Sequence, residues 1–591
     1  MEKEKKQNKI LVGIPASPGI AIGEVHLLDQ ELLQIKEEKL KPEEVQREIE
    51  RFRKALRETR DELLKTREKV KKSMAPEQVK IFDAQILILE DEVINHKVIQ
   101  EISESQTNAE FVYKTNVENT IRAISSSESE YIKERVYDVE AVSNRLLYKL
   151  LGIKHLTTAT LSSPVILMAR SLSPGDVVHM RKDRVLGFAA DSGGGTSHVA
   201  LLAKALGIPA VLGLKNGFNQ LSEKQTVILD GDKGIIISWP DQKTLKEYES
   251  KRKIILERKR KLQELKTLPS QTLDQKRIQL QANIELPEDV ESALNYGAEG
   301  IGVYRTEYLY LTESAFPSEE EQYKAYKKVL EKMSPHPVVI RTYDLGGDKF
   351  SYGQGETYEA NPFLGWRAIR ACLDLPSIFK TQLKAMLRAS QKGNLKIMFP
   401  MISGVEELRK AKGILDQVKG ELKSQGIPFD ENFELGIMIE IPSACLVADS
   451  LAQECDFFSI GTNDLVQYSL AVDRGNERVA NLYQTFHPAV LKLIKQTVDS
   501  AHRNNIWVGL CGEMAADPIA TVLLVGMGLD ELSTSPLAVP QVKKIIRSIT
   551  LEEARNIADQ VLNLTQVEEI KKALREDYKR RFGQEELLCL Y

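Results

Sequence analysis

Four textures of apolar and polar positions follow one another along this chain. Residues 9–28, "KILVGIPASPGIAIGEVHLL", are short apolar runs broken by glycine and proline, the pattern of strands joined by tight turns. From 41 to 150, apolar residues recur at helical spacing amid dense charge, as in "EEVQREIERFRKALRETRDELLKTREKVKK". Breaks at "MAPEQ" and "SSSESE" divide that region into several helices of an antiparallel bundle. The β-like texture returns between Pro164 and Trp239, where "PVILMA", "VLGFAA", "TVILDGD" and "GIIISW" read as strands. Matching texture on both sides of the helices favours a helical insertion into one α/β domain over a free coiled-coil arm.

Residues 241–267 carry a narrow apolar stripe in a charge-dense helix, a linker. Beyond it the pattern becomes strand, helix, strand. The runs "IQLQANIE", "GIGVYRTE", "PVVIRTYD", "LKIMFPMIS", "ELGIMIEIP", "DFFSIGTND", "IWVGLCGE" and "DELSTSP" are separated mostly by amphipathic helices. Such a repeat over about 250 residues predicts a (β/α)8 TIM barrel. The expected organisation is a multidomain α/β chain: a β/α domain of residues 1–30 and 151–240, a helical insertion of 31–150, a linker helix of 241–270 and a barrel of 271–591.

Composition narrows the classes of function. The chain has 591 residues, 42% apolar and 28% charged, as in ordinary globular proteins. A formal net charge of -4 argues against a general nucleic-acid binder, which is normally basic. The five cysteines form no CxxC pair and no regular spacing, against a disulfide scaffold or zinc cluster. Proline and glycine interrupt the apolar N-terminal run, which reads as strand and loop instead of a signal peptide, and no run reaches the ~18 apolar residues of a spanning helix. A cytoplasmic protein that meets no membrane is expected.

In TIM barrels, catalytic groups sit where strands end. Here those ends carry Arg305, Glu307, Arg341, Asp344, Glu440, Asn463, Asp464, Cys511 and Glu513. Arg305, Arg341, Arg367 and Arg474 would bring guanidinium groups to one mouth, suited to a small phosphate- or carboxylate-bearing anion. Glu440 and Asp464 beside them either bind magnesium, which takes one or two protein carboxylates, or simply pair with the arginines. Cys511 is a nucleophile, a proton donor or a packed thiol. "LGGDK" is glycine-rich, but no Walker A sequence occurs in the chain.

The stretch "DSGGGTSHVALLAKALGIPAVLG", residues 191–213, places His198 where a glycine turn meets an apolar helix. An imidazole there suits phosphoryl transfer. The phosphoramidate would meet unpaired N–H groups and the positive helix end, with Thr196 and Ser197 as hydroxyl donors. The alternative is that Ser197 caps the helix and His198 merely follows.

"GGGTSHVALLAKALGIPAVLG" resembles the phosphohistidine signature of enzyme I of the phosphoenolpyruvate:sugar phosphotransferase system. The resemblance continues in family order through "GAEGIGVYRTEYLYL", "RTYDLGGDK", "NPFLGWRAIR", "GIMIEIPSA", "FFSIGTNDLVQYSLAVDR" and "CGEMAADP", covering nearly the whole chain. It implies a swivelling phosphohistidine domain, an inserted helical domain that docks a small histidine-containing phosphocarrier protein, and a phosphoenolpyruvate-binding barrel that joins two copies into a homodimer. It implies that His198 is phosphorylated. Arg305 and Arg341 would hold the substrate's phosphate and carboxylate, with Arg474 and Asn463 as further contacts. Glu440 and Asp464 match the magnesium ligands, and Cys511 matches the acid that protonates the enolate carbon. Arg367 matches an arginine at the mouth, and Ser173 a hydroxyl that can bond the histidine. One departure is Gly195, where relatives often carry a basic residue before "TSH".

Two other readings compete. A synthase or dikinase of related fold would need a large nucleotide-binding domain ahead of the histidine domain, and only about 150 mostly helical residues stand there. A regulatory relative without turnover should have lost the histidine, arginines or thiol, and all are present.

Overall fold

The computed structural model describes residues 8–28, 35–71, 76–125, 139, 142–152, 163–172, 174–178, 180–181, 183–194, 198–311, 316–346, 361–474, 476 and 478–583. The chain divides into two compact units, Met1–Glu257 and Arg258–Tyr591.

The first unit is built on an eight-stranded sheet. Its strands are β1 (Lys9–Val12), β2 (Ile14–Ser17), β3 (Ile20–Leu28), β4 (Val165–Ala169), β5 (Val185–Ala190), β6 (Ala210–Leu212), β7 (Thr226–Asp230) and β8 (Ile235–Ser238), in the order β1-β8-β7-β3-β4-β5-β6-β2. β3 pairs in parallel with β4, Val25 opposite Ile166 and Leu28 opposite Ala169. Strands from before and after the helical region therefore lie side by side in one sheet, with helices Val45–Lys71, Pro76–Leu89, Glu92–Ser105 and Ala109–Ser125 between them in sequence. The expected helix breaks at 74–78 and 125–130 fall largely on residues outside those described.

Two-residue periodicity sorts the residues of β4 between two cores. Leu167 and Ala169 of β4 face one shared with Phe52, Leu63, Val98 and Leu146 of the helices and with Ala200 and Ala203 of helix His198–Leu206. Ile166 and Met168 face the other, with Val25, Val211, Leu229 and Phe218. Because the inserted helices share a core with the sheet, they are no free arm.

The second unit is a closed barrel of eight parallel strands, in order β10-β11-β12-β13-β14-β15-β16-β9. These are β9 (Gln279–Ile284), β10 (Ile301–Tyr304), β11 (Val338–Arg341), β12 (Leu395–Phe399), β13 (Glu434–Ile439), β14 (Phe457–Gly461), β15 (Trp507–Cys511) and β16 (Glu531–Thr534). All eight runs read from sequence are strands. Outward residues such as Val508 and Leu510 join the large core beneath the helices. Helix Pro488–Arg503 shows the matching stripe, burying Val490, Leu491, Ile494, Val498 and Ala501 at the i, i+3, i+4 intervals of one helical face. Inward residues Val303, Val339, Met398, Met438, Phe457 and Cys511 form a separate core inside the barrel. At its floor, Phe457 and Trp507 stack at 4.4 Å, with the Lys396 ammonium 4.3 Å over Trp507.

Candidate active site

The barrel closes so that the C-terminal ends of its strands converge, and several of them deliver polar groups. Arg341 is the last residue of β11, and Cys511 the last of β15; Glu440 follows β13 directly. Gly461 ends β14, and helix Thr462–Leu470 starts there, placing Asn463 and Asp464 in its first turn.

Arg341 is held by two carboxylates, Nη2 to Glu307 at 3.1 Å and Nη1 to Asp344 at 2.9 Å. Arg367 shares Asp344, at 2.7 Å, and its Nη1 donates to the Tyr468 hydroxyl at 3.0 Å and approaches Asp464 at 3.4 Å. Burial pushes the Asp344 carboxyl up, but the Arg341 and Arg367 guanidiniums outweigh it and hold the group below the usual carboxylate range. Asp344 is thus a fixed anion that ties two arginines together at the mouth.

Glu440 behaves oppositely. It is 1% exposed, and its Oε1 accepts from the Met401 amide at 2.7 Å. Burial, then repulsion from Asp464 and Asp344, drives its carboxyl well above the usual range. A cation placed between Glu440 and Asp464 would remove that penalty. Gly461 keeps the space open, since a Cβ there would stand 2.8 Å from Glu440 Oε2. Among the described residues no group of three His, Cys, Asp or Glu side chains forms a metal cluster. Two oxygen donors with room for substrate oxygens suit magnesium, which keeps an incomplete protein shell.

At the rim the ion pairs are looser. Arg305 pairs with Glu285 at 2.8 Å and Arg474 with Glu513 at 3.4 Å, both exposed to solvent. An arriving anion can take over either guanidinium at little cost, because exposed pairs are weak. Asn463 Oδ1 accepts from the Glu513 amide at 3.1 Å, and its carbonyl from the Tyr483 hydroxyl at 3.2 Å. The Cys511 thiol is 5% exposed, and burial pushes it up to about 11. It is therefore protonated at neutral pH, an acid and not a thiolate nucleophile.

Of the residues singled out from sequence, the barrel brings Arg305, Arg341, Arg367, Glu440, Asn463, Asp464, Arg474 and Cys511 to its C-terminal end. His198 lies in the first unit, as the first residue of helix His198–Leu206. Ser173 and Gly195 lie outside the described residues. Sequence reasoning assigned no role to Tyr468, Met401 or the Asp344 bridge. Asp344 stood visibly at a strand end, but its pairing with Arg367 joins positions 23 apart that only barrel closure brings together.

A parallel barrel with this mouth and a separate sheet unit bearing a histidine define a phosphoenolpyruvate-utilising enzyme. The family models agree. Residues 12–135 match "PEP-utilising enzyme, N-terminal", 161–234 the "mobile domain", and 259–551 the "PEP-binding domain". The phosphoenolpyruvate-protein phosphotransferase of Bacillus subtilis (strain 168) is 42% identical over 96% of this chain and its own full length. That of Haemophilus influenzae is 40% identical over 96% of this chain and 99% of its own. An NMR structure of an "Enzyme I (nEIt) protein" is 40% identical, covering 42% of this chain and 99% of its own, with a TM-score of 0.36. The chain belongs to the phosphoenolpyruvate-protein phosphotransferase family. No helix among the described residues is long and apolar enough to cross a membrane.

Proposed function

We propose that the barrel mouth binds phosphoenolpyruvate and that His198 takes its phosphoryl group, releasing pyruvate. The observation that carries this is the convergence of buried and rim arginines, two carboxylates and a protonated thiol at one set of strand ends. Arg341 and Arg305 hold the phosphate and carboxylate, Arg474 and Asn463 complete the grip, and Asp344 with Arg367 fixes the wall behind Arg341. Glu440 and Asp464 would hold magnesium, which when bound neutralises phosphoryl and enolate charge.

The imidazole of His198 attacks phosphorus in line. A P–N bond forms as the bridging P–O bond breaks, and the oxygen leaves with that electron pair as the enolate of pyruvate. The Cys511 thiol gives its proton to the enolate methylene carbon, and the thiolate regains a proton from water. The phosphoryl group then passes to a small histidine-containing phosphocarrier protein in the cytoplasm. The barrel pairs two copies as a homodimer, a state checked by sedimentation.

The test uses radiolabelled phosphoenolpyruvate with magnesium, on the intact protein and on His198→Ala. Acid-labile, alkali-stable label is expected on the former and absent from the latter, with stoichiometric pyruvate. Well-folded protein that takes no label would return the reading to a regulatory relative without turnover.

A further inference from the structure

The reaction leaves one buried charge to account for. When Cys511 has given up its proton, a thiolate stands among Val303, Val339, Met398, Met438 and Phe457, an apolar surrounding that opposes an anion. Parallel pairing of β14 with β15 sets Ser459 opposite Gly509 and Gly461 opposite Cys511. Two-residue periodicity turns Ser459 and Cys511 both into the barrel, one step apart along its axis. Gly509 has no side chain, so nothing from that position stands between them. The Ser459 hydroxyl, 3% exposed, donates to Cys511 Sγ at 3.6 Å, while Sγ directs its own hydrogen to the Ile460 carbonyl at 3.6 Å. The thiol is thus oriented from two sides by consecutive residues of β14.

We propose that Ser459 is the positioning residue of the proton-transfer step: its hydroxyl aims the Cys511 thiol and stabilises the thiolate left after protonation of the enolate. This rests on Cys511 being the acid of the reaction proposed above. The bond to Ser459 and the Arg341 charge lower the thiol's affinity for its proton, against the larger effect of burial and the repulsion from Glu440. The hydroxyl keeps its bond as charge moves onto sulfur, and bonds to ionised acceptors are about twice as strong as neutral ones.

The experiment separates this step from phosphoryl transfer. Unphosphorylated protein is given pyruvate and magnesium in deuterium oxide, and exchange of the methyl protons is followed by NMR, since exchange needs the thiolate to remove a carbon-bound proton. Thiolate absorbance is titrated in parallel, with Cys511→Ala as the blank. In Ser459→Ala, exchange at neutral pH is expected to fall about fivefold, the rate equivalent of one hydrogen bond. The Cys511 titration midpoint should rise by about 0.7 pH units. Ser459→Thr, which keeps the hydroxyl, should restore the midpoint. An unchanged midpoint and exchange rate in folded Ser459→Ala would overturn the role of Ser459. Full exchange in Cys511→Ala would instead overturn the assignment of the acid, whatever Ser459 does.

Discussion

At the scale of single residues, the charged groups divide by what burial does to them. Glu531 opens β16 at the barrel floor and is 2% exposed. Burial pushes its carboxyl up to about 8, with Lys396 pulling it down and Glu434 pushing it further up. The folded state therefore holds this proton more tightly than the unfolded chain. Stability is complete below the ordinary carboxylate range, falls as pH rises toward 8, and is level above that. Over that window the loss amounts to roughly 5 kcal/mol. Glu531→Gln keeps the shape and cannot ionise, so its denaturation midpoint should fall less steeply between pH 5.5 and 8.5 than that of the parent, the remaining slope coming from groups such as Glu440. Parallel curves for the two proteins would show that Glu531 is ionised within the barrel. Glu440 has the same cause and a different use, because its neighbours are the arginines and Asp464.

At the scale of elements, the strands were legible and the bonds between them were not. Buried parallel strands read as apolar runs ended by a polar residue, and "ELGIMIEIP" and "IWVGLCGE" announce β13 and β15 in that way. β6, three residues within "GIPAVLG", was missed because so short an apolar run after a helix carries no period of its own. Arg305, Arg341 and Cys511 were visible as strand endings. The two-sided grip of Asp344 on Arg341 and Arg367 was not, since it is a fact of closure. The turn after β15 shows how tightly an element is tied to the site. Gly512 has φ +101, a conformation nearly closed to other residues, and a Cβ there would lie 2.4 Å from Thr462 Oγ1 and 2.9 Å from Asn463 Oδ1. Gly512→Ala should store about 1–3 kcal/mol of backbone strain and push Asn463 off the Glu513 amide. A drop in kcat/KM of about tenfold or more is expected, with a lower melting temperature. Parental kinetics in this variant would show that the site tolerates a shift of Asn463.

At the scale of the whole molecule, the chemistry is divided between two units. His198 belongs to Met1–Glu257, and every arginine of the mouth belongs to Arg258–Tyr591. Tyr248, early in helix Gln242–Glu264, is buried with Ile228 and Ile237 of the sheet. Among the described residues, none is buried again until Ser270, whose amide is held by Glu299 at 2.8 Å. The intervening stretch, "ESKRKIILERKRKLQELKTLP", is rich in lysine and arginine. Brief trypsin treatment should therefore cut there first and leave two folded fragments, each keeping its own core. The N-terminal fragment should take label at His198 from a phosphorylated carrier protein and none from phosphoenolpyruvate. The barrel fragment should bind phosphoenolpyruvate, seen as a rise in its melting temperature with substrate and magnesium, and form no stable phosphoprotein. Label on the isolated N-terminal fragment from phosphoenolpyruvate would mean that the barrel mouth is not needed for transfer, and would remove the basis for assigning the substrate to it.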